Sequence, residues 1–467
     1  MKLRMFLLSC LAAAFASLNT SLAQERVAGE WEGAILLPGV DLGILVHFTG
    51  PNDAPEATID IPMQMAKGLQ LTNVRAALPA VHFELPAGPG LAIFEGNLTG
   101  DSIAGDFRQG GVTARFRLHR KGEPKSVAPV PPPPYREEEV NVPAEDVTLA
   151  GTLTLPPKGG PFAAAILLTG SGSQNRDEEL FGFRPFKILA DHLTRNGYAV
   201  LRCDDRGVGG STGEISKSTA ADFAQDALAM FRFLQARSDI ERSRIGFIGH
   251  SEGAEVAAMS SAKSPEVAFV ILLAGPALQG DTVILSQIAT LGRLQGESEA
   301  NIGRGLAMQR HVFATVREQK GWDELRSMLL DEMRRSVDDI PAEQKAAVTD
   351  SLLAARVDIQ MNVVRSPWFA FFISYDPAKD LANIRCPVLA LFGELDQQIP
   401  PSLHRQPMSS ALSKGGNPDV TLHSVPGVNH LFQKATTGSP AEYAGLEKEF
   451  AAGVLDYLTT WLKKRFR

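Results

Sequence analysis

A mostly parallel sheet with helices on both faces, preceded by a small all-β domain, is the architecture this sequence predicts. Three observations carry it. The pentapeptide Gly249-His250-Ser251-Glu252-Gly253 sits between an apolar, strand-like run at 244–248 and a helix-like run at 254–259. The later two-thirds of the chain alternates continuous apolar runs with helical segments, as strands buried on both faces do. Before a run of four prolines, short β-like segments recur at roughly even spacing, the pattern of a meander or small barrel.

The elements follow in order. Residues 1–23 read as a secretory signal peptide. Lys2 and Arg4 lead, Met5 to Ala16 is apolar, and Ser21-Leu22-Ala23 precedes Gln24 as a cleavage site. The apolar run is short for a spanning helix, so export to a periplasm or the medium is expected, with no stable membrane insertion. Residues 24–122 form the all-β domain, with segments at 33–37, 42–48, 57–61, 81–85, 91–95, 102–107 and 114–118. They carry no cluster of His, Cys or carboxylates, which points to packing or interaction rather than a second active site. Residues 123–136, with Pro131-Pro132-Pro133-Pro134, read as a semi-rigid polyproline linker.

The second domain spans 137–467. A hairpin at 137–155 opens it, and strand–helix units follow at 162–196, 198–238 and 244–263. Residues 267–275 form the next strand. The stretch before the Cys386 strand is far longer than one crossover helix needs. It holds helical patterns at 281–296, 302–319, 322–336 and 342–355, and reads as a helical cap at about 281–384. Its aromatic end, 367–375, has two readings: packing against the sheet, which is preferred, or the wall of an acyl pocket. Strands at 386–392 and 420–425 and a long helix at 441–465 complete the chain. Cys203 and Cys386 end strands that are not neighbours, so they read as small buried hydrophobes rather than a disulfide.

Strand, sharp turn and helix around G-x-S-x-G form a nucleophile elbow, which exposes the Ser251 hydroxyl and leaves the Glu252 N–H as an oxyanion donor. A serine needs a base, and the base needs a carboxylate to hold its ring. Of nine histidines, His311, His404, His423 and His430 follow Ser251. His430 lies on a loop after the last strand. His423 lies within that strand, His404 at a helix start and His311 in the helical insertion. Glu394 and Asp396 both follow the penultimate strand, and Asp396, further into the loop and before Pro400, is preferred. The second oxyanion donor is expected from Thr169-Gly170-Ser171-Gly172-Ser173, at Ser171 or Gly170.

Lys and Arg total 46 against 53 Asp and Glu, for a net charge of −7 in 467 residues. There is no basic stripe, which argues against nucleic-acid binding. Arg206 to Gly213 is glycine-rich but lacks the Gly-Lys-Ser/Thr of a phosphate loop. No H-E-x-x-H or Cys/His ligand spacing is present, so neither a metal nor an organic cofactor is expected.

Three motifs in order carry a family resemblance. They are Gly170-Ser171-Gly172-Ser173-Gln174-Asn175-Arg176-Asp177-Glu178, Asp204-Asp205-Arg206-Gly207-Val208-Gly209-Gly210-Ser211, and the Ser251 pentapeptide. With them, residues from about 137 to the end resemble the α/β-hydrolases, and more closely a bacterial exported esterase subgroup related to sequences labelled serine aminopeptidases. Thr169 stands where a histidine is usual beside the oxyanion glycine, a departure that leaves the backbone donors unaffected. The resemblance implies hydrolysis of a small ester or acyl substrate by a serine carboxylesterase. Its alternatives are a serine peptidase, an acyl thioesterase, and a non-catalytic binding protein on the same scaffold. The expected site is Ser251, Asp396 and His430, with the N–H groups of Ser171 and Glu252.

Overall fold

The computed structural model describes residues 26–37, 40–61, 66–86, 91–109, 112–121, 133–294, 296–338 and 350–466. The expected signal peptide at 1–23, residues 122–132 of the proline-rich stretch and the start of the helix expected at 342–355 lie outside them. The chain divides into two compact units, Met1–Gly122 and Glu123–Arg467.

The first unit is one nine-stranded antiparallel sheet in the order β4-β3-β2-β1-β9-β8-β7-β6-β5. Its strands are β1 Gly29–Leu37, β2 Val40–Thr49, β3 Glu56–Ile61, β4 Ala66–Gln70, β5 Thr72–Ala77, β6 Ala80–Pro86, β7 Leu91–Thr99, β8 Ser102–Gln109 and β9 Val112–Arg120. The two edges, β4 and β5, are separated in the chain by Leu71 alone, whose N–H donates to Ala57 O at 2.9 Å. The sheet therefore curls into a nearly closed, barrel-like form. Alternating side chains fill it: Phe83 stacks on Phe94 at 4.5 Å, and Phe116 meets Phe94 edge-on at 5.3 Å. Strands β4 and β5 escaped the sequence reading because they are short edge strands whose inward residues, Leu69, Val74 and Ala76, are only half-buried.

The second unit holds an eight-stranded sheet in the order β10-β11-β13-β12-β14-β15-β16-β17. Antiparallel β10 Arg136–Ala144 and β11 Val147–Leu155 lead into parallel β12 Phe162–Leu168, β13 Ala199–Cys203, β14 Ile240–His250, β15 Val270–Leu273, β16 Val388–Gly393 and β17 Val420–Val425. Every residue of β12, β13, β15 and β16 is buried, which explains their unbroken apolar sequences. In β12, Ala164, Ile166 and Leu168 face one core while Ala163, Ala165 and Leu167 face the other. Helices α2 Ala220–Gln235, α3 Glu252–Lys263 and α10 Pro401–Lys414 cover the first; α1 Pro185–Arg195 and α11 Val454–Lys463 cover the second.

Six helices separate β15 from β16 among the described residues: α4 Gly280–Leu294, α5 Glu299–Glu318, α6 Trp322–Asp338, α7 Asp350–Val364, α8 Pro367–Phe372 and α9 Pro377–Leu381. The first five share a core of their own around Phe313, Leu325, Val357 and Phe369, while α9 packs on the sheet's core through Leu381. The aromatic run divides its work: Phe369 and Ile373 fill that core, whereas Phe371 and Tyr375 pack against the sheet's core.

The long helix expected at 441–465 is a correction. Only a 3₁₀ turn, Pro440–Gly445, and α11 are helical. The residues between them spend their hydrogen bonds on the loop around His430. The Ala451 N–H donates to Phe432 O at 2.8 Å, and Glu447 O accepts from Gln433 Nε2 at 2.7 Å.

Candidate active site

The order of strand addition reverses at β12, which lies between β13 and β14 and parallel to both. In open α/β sheets the crevice at such a switch point, past the carboxyl ends of the strands, is where ligands bind. One register row runs Leu168, Gly249, Leu272, Ala390 and Leu422 across five strands. Gly170, Ser171, Ser251, Asp396 and His430 all lie just beyond it, on loops at this one end.

Ser251 is the turn between β14 and α3. Its backbone sits at φ 53°, ψ −118°, a conformation an L-residue adopts only under strain. The Ser251 N–H is anchored on Leu273 O at 2.9 Å. The flanking glycines are required by close approach. A Cβ at Gly249 would collide with Gly253 O, and one at Gly253 with Leu168 O. The elbow helix can therefore start directly against the loop after β12.

Asp396 is 2% exposed, and its Oδ2 accepts from His430 Nδ1 at 2.8 Å. Its other oxygen accepts the N–H groups of Gln398 and Ile399, both at 2.8 Å. Burial alone would raise the Asp396 carboxyl. The His430 ring and the two N–H donors outweigh it and hold the group below the usual carboxylate range. Glu394, the alternative acid, is exposed and accepts the Gly427 N–H at 2.9 Å. The His430 loop is shaped by buried Asn429, whose side-chain oxygen accepts from the N–H groups of Leu431 and Gln433. No hydrogen bond joins the Ser251 hydroxyl to His430. Catalytic contacts of this kind commonly tighten only when substrate binds.

The other histidines take different places. His404 is fully buried, accepts the Ala277 N–H at 3.1 Å, and burial pushes its ring down to about 4. His423 stacks on Tyr457 at 4.4 Å. His311 lies in α5. Cys203 and Cys386 are both free thiols.

Of the expected oxyanion donors, Gly170 N–H donates to Glu178 Oε1 at 2.6 Å, which engages it. Among the described residues the N–H groups of Ser171 and Glu252 have no such partner. The loop carrying Ser171 is heavily braced. Asp205 accepts from the Thr169 hydroxyl at 2.6 Å and Gln174 N–H at 2.9 Å, and burial pushes its carboxyl up to about 8. Arg176 makes a two-pronged contact with Asp204 at 3.1 and 2.9 Å. Arg206 does the same with Asp226, at 2.7 and 2.8 Å. The motif residues 170–178 and 204–211 are thus largely a scaffold for the loop that carries Ser171. Sequence reading assigned no role to Glu178, Asp205 or His250, although all three stand inside the quoted motifs. Their partners are distant in sequence, so only the fold reveals the pairing.

The Glu252 side chain lines a cavity of about 40 Å³ with Thr169, Asp205 and Phe223. Burial pushes its carboxyl up to about 7, opposed by the indole N–H of Trp368, which donates to it at 2.7 Å.

The strand order, the elbow and the loops beyond it define an α/β-hydrolase of the serine type. The family model described as serine aminopeptidase, S33 matches residues 184–434, more than half of the chain, and the chain belongs to that family. The match includes Ser251, Asp396 and His430 and begins after Ser171 and Glu178. The chain is 25% identical over 342 residues to the esterase EstD of Thermotoga maritima, an alignment covering 72% of this chain and 69% of that protein. A solved esterase of Pyrococcus furiosus aligns at 16% identity over 71% of this chain and 92% of its own, with a TM-score of 0.43. A dienelactone hydrolase from Anabaena variabilis aligns at 14% identity over 72% and 100%, with a TM-score of 0.40.

Proposed function

We propose that the protein is a carboxylesterase that works through an acyl-enzyme on Ser251. The observation that carries this reading is the buried Asp396–His430 hydrogen bond at the same sheet end as the strained Ser251 turn. His430 Nε2 takes the hydroxyl proton as Ser251 Oγ attacks the ester carbonyl. The oxyanion rests on the N–H groups of Glu252 and Ser171, each worth about 3–4 kcal/mol of barrier in comparable sites. His430 then protonates the leaving alcohol. A water molecule, deprotonated by His430, attacks the acyl carbonyl, releases the carboxylic acid and returns the proton to Ser251. Asp396 holds the Nδ1–H tautomer throughout and stabilises the imidazolium. No step calls for a metal or organic cofactor. The helices between β15 and β16 act as a cap that bounds the substrate pocket, a role supported by the Trp368–Glu252 contact.

The name of the Thermotoga relative supports the ester reading, and the family's description favours a second one, aminopeptidase activity. Parallel assays on p-nitrophenyl esters of graded acyl length, thioesters and aminoacyl-anilides separate them. The ester reading expects turnover of short to medium esters with anilides at background, and anilide turnover exceeding ester turnover overturns it. Export through residues 1–23 belongs to the same proposal.

A further inference from the structure

A second histidine–carboxylate pair lies beside the first. His250 and Glu178 are both buried, and His250 Nδ1 meets Glu178 Oε1 at 2.8 Å. The opposite ring nitrogen, Nε2, donates to the backbone oxygen of His430 at 3.0 Å. Glu178 Oε1 also accepts the N–H of Gly170, the residue preceding Ser171. The His250 and His430 rings are 4.8 Å apart. A Cβ at Gly170 would lie 2.9 Å from Glu178 Oε1 and 3.4 Å from both His250 Nδ1 and Ser251 Cβ. Glu178 itself holds a left-handed backbone, φ 51°, a strain that persists only where surroundings impose it. One side-chain pair therefore joins the loop after β12, the elbow after β14 and the loop after β17.

Hydrogen-bond chemistry fixes the protons. His430 O is an acceptor only, so His250 Nε2 carries a hydrogen. Glu178 Oε1 already receives the Gly170 N–H, and its second lone pair receives the Nδ1 hydrogen. All three bonds coexist only with one proton held between His250 Nδ1 and Glu178 Oε1, and the raised His250 value places it on the imidazole, facing the Glu178 carboxylate. Burial acts to lower the His250 value, but the Glu178 carboxylate, the His430 carbonyl and the more distant Asp396 outweigh it and hold it above the ordinary histidine range. The groups facing the ring are Glu178 from the loop after β12, His430 from the loop after β17 and Asp396 from the loop after β16.

We propose that the Glu178–His250 ion pair is a positioning device for the hydrolysis, setting the Ser171 oxyanion donor and the His430 backbone against Ser251 at once. The proposal rests on the Ser251 reading above. Neither side chain touches the reacting atoms. Losing the His250 proton breaks either the Glu178 or the His430 link, so the device works below the raised His250 value and fails as pH rises through it.

The test compares the full chain with Glu178→Gln, His250→Gln and His250→Asn, and with Ser251→Ala as a separate control. Glu178→Gln leaves nothing to neutralise the imidazolium, so one of the three bonds goes. His250→Gln retains a donor near His430 O, and His250→Asn retains one near Glu178. Each folded variant is expected to lose about 100-fold in kcat on a p-nitrophenyl ester, the scale of a misplaced catalytic group, with KM changed less than about 3-fold. Phosphonate labelling of Ser251 should slow in parallel. The wild type's alkaline loss of kcat should vanish in the His250 variants. A merely structural pair would lower Tm but leave kcat per folded molecule and the alkaline limb intact, and that result overturns the proposal. If Glu178→Gln does not fold, the two His250 variants decide. Full activity in Ser251→Ala instead sinks the underlying serine reading, an outcome distinct from either.

Discussion

Trp368 and Glu252 join two parts of the hydrolase unit that are far apart in sequence: the indole N–H of the α8 residue donates to the carboxyl of the residue after Ser251 at 2.7 Å. The bond ties the inserted helices to the first turn of α3. It also moderates a carboxyl that burial pushes up to about 7.

Glu252 makes stability depend on pH. Its folded value lies above its unfolded value of 4.5, so between about 4.5 and 7 the folded state binds more protons than the unfolded one. Stability contributed by the neutral form is therefore lost as pH rises through that window, by up to about 3 kcal/mol. Buried Glu255, also held well above its usual range, acts with the same sign. Glu252→Gln should flatten the dependence: its Tm should fall less between pH 5 and pH 7.5 than the wild type's. Parallel curves would show that Glu252 does not titrate there.

Arg176 braces the loop that carries Ser171 through Asp204, which is 5% exposed. Arg176→Ala leaves that carboxylate without its cation, with only the N–H groups of residues 176 and 210 donating to it, and breaking a buried pair costs about 3–5 kcal/mol. Urea unfolding should show a loss of about 3 kcal/mol, with slower ester turnover. A loss below about 1 kcal/mol would place the pair among solvent-screened contacts.

Asp396→Asn should keep the fold and cut kcat by about 10⁴-fold, because His430 loses the group that holds its tautomer. Glu394→Gln should change kcat less than about 3-fold, since Glu394 is exposed and bonds only the Gly427 N–H among the described residues. Kinetics on both, at matched thermal stability, decide the acid. A crippled Glu394→Gln beside an active Asp396→Asn reverses the assignment.

Export predicts a mature chain beginning at Gln24. N-terminal sequencing of protein from its native compartment should read Gln24-Glu25-Arg26. An intact Met1 contradicts it.

The parallel sheet was legible because β12, β14, β15 and β16 are continuous apolar runs, and strands buried on both faces leave that mark. The loops carrying Ser251 and Asp396 were legible because each follows such a run, and the His430 loop because a Pro-Gly turn follows the half-buried β17. Other features depend on partners remote in sequence. Strands β4 and β5 are recognisable only once the sheet curls around Leu71. The segment before α11 is helix-like in composition, yet its backbone serves the His430 loop through Ala451 and Glu447. Glu178 and His250 stand 72 positions apart, and nothing local to either announces the other.

The central claim is that Ser251 is the nucleophile of an acyl transfer. The most direct measurement is intact-mass and peptide-level mass spectrometry after treatment with an alkyl fluorophosphonate. The account predicts one adduct per chain, on the peptide holding Ser251, formed in step with the loss of ester hydrolysis and absent in Ser251→Ala. An active protein that takes no adduct on Ser251, or one whose Ser251→Ala variant hydrolyses esters at the wild-type rate, would contradict it.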